Sequence, residues 1–122
     1  MSFLVSTSLK SLSLIIFFGL FCGQCKPHEV KKEAPAINEI PKNSNFMINL
    51  QEDHRTGANW QLQGDYNASV VQRVNEVWHG NEKGIYFNLR ALAVGQTTLV
   101  FIKRKYTDTL DNKAFIIKIT KF

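Results

Sequence analysis

The sequence predicts an all-β domain, either a two-sheet sandwich or a small barrel. After residue 44, short segments rich in β-branched and aromatic residues recur at regular intervals, and no helical period extends beyond two turns. Apolar and polar residues alternate within these segments, as they do in strands that bury one face. About seven such strands in a chain of this length are typical of sheets packed around one core. The predicted strands cover residues 45–51, 59–63, 69–78, 84–92, 96–105 and 114–121.

The N-terminal segment has the order of a secretory leader. Residues 12–21 form an apolar run that follows Lys10 and is short for a membrane span. An uncleaved anchor helix is the alternative, and it requires the apolar run to extend back past Lys10. Both cysteines, Cys22 and Cys25, lie at the end of this segment. We therefore expect residues 1–25 to be a signal peptide or a lipoprotein leader, with Cys25 as the candidate lipid-attachment residue. The protein would be secreted, periplasmic or anchored to a membrane by lipid, and not cytoplasmic.

Residues 26–44 are predicted to be a flexible tether. This segment holds all three prolines of the chain and few large apolar side chains, so it cannot bury enough surface to offset its ordering entropy. The folded domain is expected over residues 45–122. It contains no cysteine, so it has no disulfide and depends on an apolar core. The predicted core residues are Trp60, Phe87, Leu89, Leu99, Phe101, Phe115 and Ile117.

Composition and motifs argue against a dedicated nucleic-acid binder and against an enzyme. The formal net charge is +5, and loss of the leader removes only Lys10 among the charged residues, which leaves +4 with acidic residues scattered throughout. The three histidines are far apart in sequence, and no metal-ligand or nucleophile motif is present. We therefore expect no catalytic residue, no metal and no cofactor.

The polar segments between the predicted strands are the candidate binding residues. The first, residues 53–58, contains Gly57, a residue type that can adopt a positive φ at no steric cost, and it leads into Trp60. Taken alone, this stretch is most simply a hairpin turn that precedes a core tryptophan. The other two are residues 79–84 and residues 104–108. Because alternate loops of a two-sheet sandwich gather at one end, we expect the three loops to lie together.

The chain contains the segments FMINL (46–50), TGANW (56–60), FNLRAL (87–92) and GQTTL (95–99). Together these segments resemble the chagasin family of cysteine-peptidase inhibitors, and the resemblance covers residues 45–122. In that family an Asn-Pro-Thr-Thr-Gly loop precedes a Trp, a Gly-x-Gly-Gly loop precedes a Phe-x-Phe strand, and an Arg-Pro-Trp motif ends a later strand.

The three family motifs fall on the three polar loops of this chain. In the first loop Thr56 and Gly57 match the family, Asp53 replaces Asn, and His54 and Arg55 replace Pro and the first Thr. The second loop keeps one glycine of its motif, and the third keeps a cation and an aromatic residue without the proline. The peptidase-binding residues that the resemblance implies are Asp53, His54, Arg55, Thr56, Gly57, Gly80, Asn81, Glu82, Lys83, Gly84, Arg104, Lys105 and Tyr106.

The resemblance implies an immunoglobulin-like antiparallel β-sandwich that inhibits papain-like cysteine peptidases reversibly. The protein would act as a monomer, with three loops in the active-site cleft and Thr56 near the catalytic cysteine. The alternative is a non-inhibitory exported binding or envelope-assembly module of the same fold, since Glu82 and Lys83 add side chains where the family has glycine. An oligonucleotide-binding barrel is disfavoured by the leader.

Overall fold

Eight strands and one short 3-10 turn form from residues 28–122, the part of the chain that this computed structural model describes. The 3-10 turn, His54–Thr56, lies between the third and fourth strands. The strands are β1 (His28–Val30), β2 (Ile37–Pro41), β3 (Asn45–Leu50), β4 (Asn59–Leu62), β5 (Val71–Trp78), β6 (Ile85–Ala91), β7 (Gly95–Lys105) and β8 (Asp108–Thr120).

The strands form two four-stranded sheets that enclose one core. One sheet has the order β1-β3-β6-β5 and the other the order β2-β8-β7-β4. Strand β1 pairs with β3 and strand β2 with β8 in parallel, while the remaining pairs are antiparallel. The predicted all-β, immunoglobulin-like sandwich is confirmed, with eight strands in place of about seven.

Period-two alternation accounts for the core between the sheets. In β6, Ile85, Phe87 and Leu89 are buried and the residues between them are partly exposed. The ring of Phe101 in β7 lies 4.7 Å from that of Phe87 and 5.7 Å from that of Phe115 between centroids, distances that suit aromatic packing. All seven predicted core residues are buried, including Trp60.

The prediction of a flexible tether over residues 26–44 is wrong from His28 onward. Two edge strands form there: β1 lies beside β3, and β2 pairs with β8 from Ile37 to Pro41. Edge strands need few buried side chains, and here Val30 and Ile40 supply them. Proline is also tolerated in an edge strand, because its missing N–H faces away from the ladder. The domain therefore begins before residue 45.

The expected leader, including Cys25, lies outside the described residues. Across residues 28–122, the structure contains no helix long and apolar enough to cross a membrane. The processing and localisation of the chain therefore stay predictions.

The hairpin formed by β7 and β8 is longer than the sequence pattern predicts. Strand β8 begins at Asp108, six residues before the expected start near Ala114, and its first residues pair with the end of β7. Arg104 and Lys105 consequently lie in β7, and the turn itself contains only Tyr106 and Thr107.

Candidate binding surface at the loop end

Three connections meet at one end of the sandwich, which we call the loop end. They are the first loop (residues 51–58), the second loop (residues 79–84) and the hairpin tip (residues 104–108). The backbone N–H of His54 donates to Asn81 Oδ1 at 3.0 Å, which joins the first loop to the second. A Cβ on Gly57 would lie 3.7 Å from Lys105 Cε, so the first loop also contacts the hairpin tip. The three loops do lie together, as predicted.

The first loop is held from within by a capped 3-10 turn. Asp53 Oδ1 accepts from the Arg55 backbone N–H at 2.9 Å, and Asp53 Oδ2 accepts from Arg55 Nη2 at 2.6 Å. The Thr56 hydroxyl donates to Asp53 O at 2.8 Å and accepts from Ala58 N at 3.2 Å. Gly57 ends the turn with φ 79°, a conformation that glycine adopts without strain. Thr56 is therefore displayed on a turn whose shape is held by hydrogen bonds from the side chains of Asp53, Arg55 and Thr56.

The same contacts change the ionisation of Asp53. Hydrogen bonds from the Arg55 side chain and then from its backbone N–H lower the pKa of Asp53 from 3.8 to about 2, with the positive charge of Arg55 as a smaller cause. The carboxylate in turn raises the pKa of Arg55. Both groups are thus charged near neutral pH, which keeps the cap closed.

A buried carboxylate within the first loop connects the loop to the core. Glu52 is only 2% exposed; its Oε1 accepts from the Trp60 backbone N–H at 2.7 Å, and its Oε2 lies 2.7 Å from His54 Nε2. Sequence reasoning missed Glu52, because glutamate is rarely buried. The signal was present in the period of β3, where Phe46, Ile48 and Leu50 face the core and the next position in that series is residue 52.

An aromatic stack supports the first loop from the side of β5. The His54 and Trp78 rings are nearly parallel, 8° apart, with centroids separated by 3.9 Å. Trp78 Nε1 donates to Glu52 O at 3.1 Å, and Trp60 Nε1 donates to Gln51 O at 2.8 Å. Both tryptophans therefore bind the backbone where the first loop begins. The sequence identified Trp60 as an anchor and missed this role of Trp78.

The second loop is closed by its two glycines and is tied to the first. Gly84 N donates to Gly80 O at 2.8 Å, and both glycines have positive φ, 102° at Gly80 and 81° at Gly84. A Cβ at Gly84 would lie 2.2 Å from Leu50 O, so no other residue fits there. The Gln51 amide donates to Asn81 O at 2.7 Å across the gap between the two loops. This leaves the side chains of Glu82 and Lys83 exposed at the surface.

The hairpin tip presents one large aromatic side chain to solvent. Tyr106 is 90% exposed and has φ 56°, a left-handed conformation that is unfavourable for a residue with a Cβ. Arg104, in contrast, lies in β7 opposite Asn59, and its Nε is buried with no hydrogen-bond partner among residues 28–122. The cation predicted for this loop is therefore held in the sheet at Arg104 and exposed at Lys105.

The predicted binding residues separate into displayed and structural groups. Gly84 is buried, and Asp53, Gly80, Asn81 and Arg104 are partly buried, so these five mainly shape the loops. Throughout the described region, no three His, Cys, Asp or Glu side chains are grouped so as to hold a metal ion. The residues with exposed side chains or backbone at the loop end are His54, Arg55, Thr56, Gly57, Glu82, Lys83, Lys105 and Tyr106.

Comparison with known proteins identifies structures of the same fold. No protein-family model and no curated protein matches the chain. The crystal structure of the cysteine protease inhibitor EhICP2 from Entamoeba histolytica is similar, with a TM-score of 0.63 and 22% sequence identity, over 76% of this chain and 94% of that chain. The solution structure of amebosin is similar with a TM-score of 0.53 and 15% identity, over 78% of this chain and 100% of that chain.

These similarities confirm the fold that the chagasin resemblance implies. The alignments cover 76% and 78% of this chain, which is more than residues 45–122 make up. The similarity therefore extends to residues before 45.

Proposed function

We propose that the chain is a reversible inhibitor of papain-like cysteine peptidases and that it blocks their active-site cleft with the loop end. The motif resemblance and the fold shared with the Entamoeba histolytica inhibitor both favour this function. The observation that carries the proposal is the bracing of the first loop. Thr56 and Gly57 are displayed on a turn that is capped by Asp53 and held from below by Glu52.

Bracing before binding is what a blocking loop requires. A loop that is already ordered loses little conformational entropy on association, so more of the contact free energy appears as affinity. His54 stacks on Trp78, and its backbone donates to Asn81, so the first loop is supported from β5 and from the second loop. The first loop can therefore enter a cleft in the conformation that it already has.

The mechanism needs no bond to be formed or broken. The Thr56 hydroxyl is engaged with Asp53 O and Ala58 N, so Thr56 acts by occupying space near the catalytic cysteine. On either side of it, the second loop and Tyr106 at the hairpin tip would widen the contact. Inhibition by exclusion of substrate is reversible and competitive.

Titration against papain and cathepsin L tests the proposal directly. The chain lacking its expected leader, residues 26–122, is added in increasing concentration to each peptidase, and hydrolysis of a peptide substrate is followed. We expect competitive inhibition that is recovered on dilution. Absence of inhibition of both peptidases at micromolar protein would overturn the proposal.

Replacement of Thr56 tests the assignment of the first loop. Thr56→Asp should weaken inhibition at least about tenfold, because a buried unpaired charge costs well over 1 kcal/mol. Thr56→Ser keeps the hydroxyl that binds Asp53 O and should inhibit nearly as well as the parent. Thr98→Asp, an exposed change in β7 away from the loop end, is the matched control. If Thr56→Asp inhibits like the parent, the first loop does not enter the cleft.

The second candidate function is that of an exported binding module of the same fold that does not inhibit peptidases. The observation that favours it is the second loop, where the side chains of Glu82 and Lys83 are exposed. Replacing both residues by glycine distinguishes the two functions. If the chain is an inhibitor, the double-glycine variant should bind papain at least as tightly as the parent. If the chain is a different binding module, the variant should show no affinity for papain.

A further inference from the structure

We propose that the end of the sandwich opposite the loop end faces the membrane to which the chain is anchored. We call it the far end; it comprises residues 42–44, 63–69, 92–94 and 120–122. The partner is a phospholipid bilayer, and the inference rests on the expected leader and not on peptidase inhibition. Its consequence is that the three loops point away from the membrane.

The direction of β1 determines where the chain leaves the sandwich. His28 pairs with Phe46, near the start of β3, and Val30 pairs with Ile48. Strand β3 runs from the far end towards the first loop, which begins after Leu50. Because β1 is parallel to β3, its first residue lies towards the far end. His28, the first described residue, therefore marks the far end as the place where the chain enters the sandwich.

Few residues separate His28 from the expected lipid-attachment residue. The chain is therefore too short to let the domain turn its loop end towards the bilayer. Cys25 precedes His28 by three residues, which span at most about 11 Å, and even the apolar run that ends at residue 21 is at most about 25 Å away. Strand β7 has 11 residues and carries the hairpin tip roughly 35 Å from the far end. The edge strands β1 and β2 thus replace the long tether that the sequence suggested and restrict the orientation of the domain.

The surface of the far end suits the interface of a bilayer. Val94 is 60% exposed and Phe122 is 90% exposed, and Lys42 and Lys121 are exposed beside them. Asp65 is the one acidic side chain in the four segments. Exposed apolar side chains next to lysines insert at the level of the headgroups, where the cations meet lipid phosphate.

These four residues lie at neighbouring strand ends. Gly95, next to Val94, pairs with Ile119 at the end of β8. The Lys42 backbone N–H donates to Thr120 O at 2.8 Å, which brings the turn after β2 to the same strand end. Apolar exposure alone would not select this end, since Tyr106 is equally exposed at the hairpin tip. The position of His28 at the far end is the observation that favours this end.

Depth-dependent fluorescence quenching of the full-length chain tests the orientation. The chain is expressed with its own leader, carries Cys22→Ser, and has an environment-sensitive probe on Val94→Cys or on Tyr106→Cys. It is reconstituted in vesicles of phosphatidylcholine and phosphatidylglycerol with and without a lipid-attached quencher. The parent without an added cysteine measures any labelling of the leader. We expect several-fold stronger quenching at position 94 than at position 106.

Two variants test whether the far end itself contacts the lipid. Phe122→Asp should reduce the quenching of the probe at position 94, whereas Leu110→Asp, at an exposed site near the hairpin tip, should not. Equal quenching at positions 94 and 106, stronger quenching at 106, or failure of the full chain to sediment with the vesicles would each overturn the proposal.

Papain inhibition is measured on the same vesicles. For this measurement the chain carries the probe at position 94, away from the loop end. Loss of inhibition with the quenching pattern intact contradicts the proposed function and leaves the orientation standing. The reverse result contradicts the orientation alone.

Discussion

The first loop and the hairpin tip lie side by side at the loop end but are ordered by different means. The first loop rests on tertiary contacts: the buried Glu52 carboxylate, the stack of His54 on Trp78 and the cap at Asp53. The hairpin tip rests on the backbone ladder of β7 and β8, and its central residue, Tyr106, is almost fully exposed with a positive φ.

The difference indicates what each region contributes to binding. A loop with internal bracing presents a fixed backbone shape, which suits entry into a cleft. At the hairpin tip, the exposed ring of Tyr106 makes no contribution to the core that would explain its positive φ. Backbone strain of this kind commonly marks a functional position. The first loop should therefore be sensitive to changes below it, whereas the hairpin tip should be sensitive only to its own side chain.

The largest expected effect concerns the base of the first loop. Trp60→Ala should lower the free energy of unfolding by about 3–5 kcal/mol, because it leaves a large cavity and removes the bond from Trp60 Nε1 to Gln51 O. Chemical denaturation followed by circular dichroism measures this loss. Trp78→Ala is the control, since Trp78 is 41% exposed and should cost much less. Equal losses in the two variants would contradict the assignment of Trp60 as the core anchor.

Removal of the buried carboxylate should have the next largest effect. Glu52→Ala should cost about 2–3 kcal/mol of unfolding free energy, because the Trp60 backbone N–H is left buried without an acceptor. Inhibition should weaken as well, since His54 loses its partner and the first loop loosens. Glu39→Ala, an exposed change in β2, controls for loss of a charge. Unchanged stability and inhibition in Glu52→Ala would show that the carboxylate does not fix the loop.

The hairpin tip should respond in the opposite direction. Tyr106→Gly should raise the free energy of unfolding by up to about 1 kcal/mol, because glycine relieves the positive φ that a two-residue hairpin requires. The same change should weaken inhibition by removing the displayed ring. Tyr106→Phe keeps both ring and strain and should alter neither quantity. A Tyr106→Gly variant that inhibits as strongly as the parent would exclude the hairpin tip from the interface.

The smallest effect concerns the cap and its dependence on pH. The pKa of Asp53 is lowered to about 2 in the folded chain from an ordinary value of 3.8, so folding favours the charged form. The stabilisation is therefore present above pH 4 and is lost as the pH falls through about 2. Titration of the Asp53 carboxyl carbon by NMR measures this pKa, and Arg55→Ala should raise it towards the ordinary value. An unchanged pKa in Arg55→Ala would contradict the role of the guanidinium.

Much of the fold followed from local pattern. Alternation of apolar and polar residues predicted β3 to β7 to within about two residues, because a strand that buries one face must repeat every second position. The buried positions of Phe87 and Ile117 follow from the same period. The gathering of three loops at one end also followed, because consecutive antiparallel strands return the chain to the same end after every second connection.

The sequence by itself determined the six main strands, the Trp60 anchor and the turn that precedes it, since these depend on residues close together in the chain. Only the tertiary structure decided the edge strands and the burial of Glu52. Strand β2 forms because Ile37 pairs with Ile116, a partner far along the chain that no local period reveals. Glu52 is stable in the interior because folding brings the Trp60 N–H and the His54 ring to its two oxygens. A buried polar side chain depends on hydrogen-bond partners whose positions the fold alone supplies.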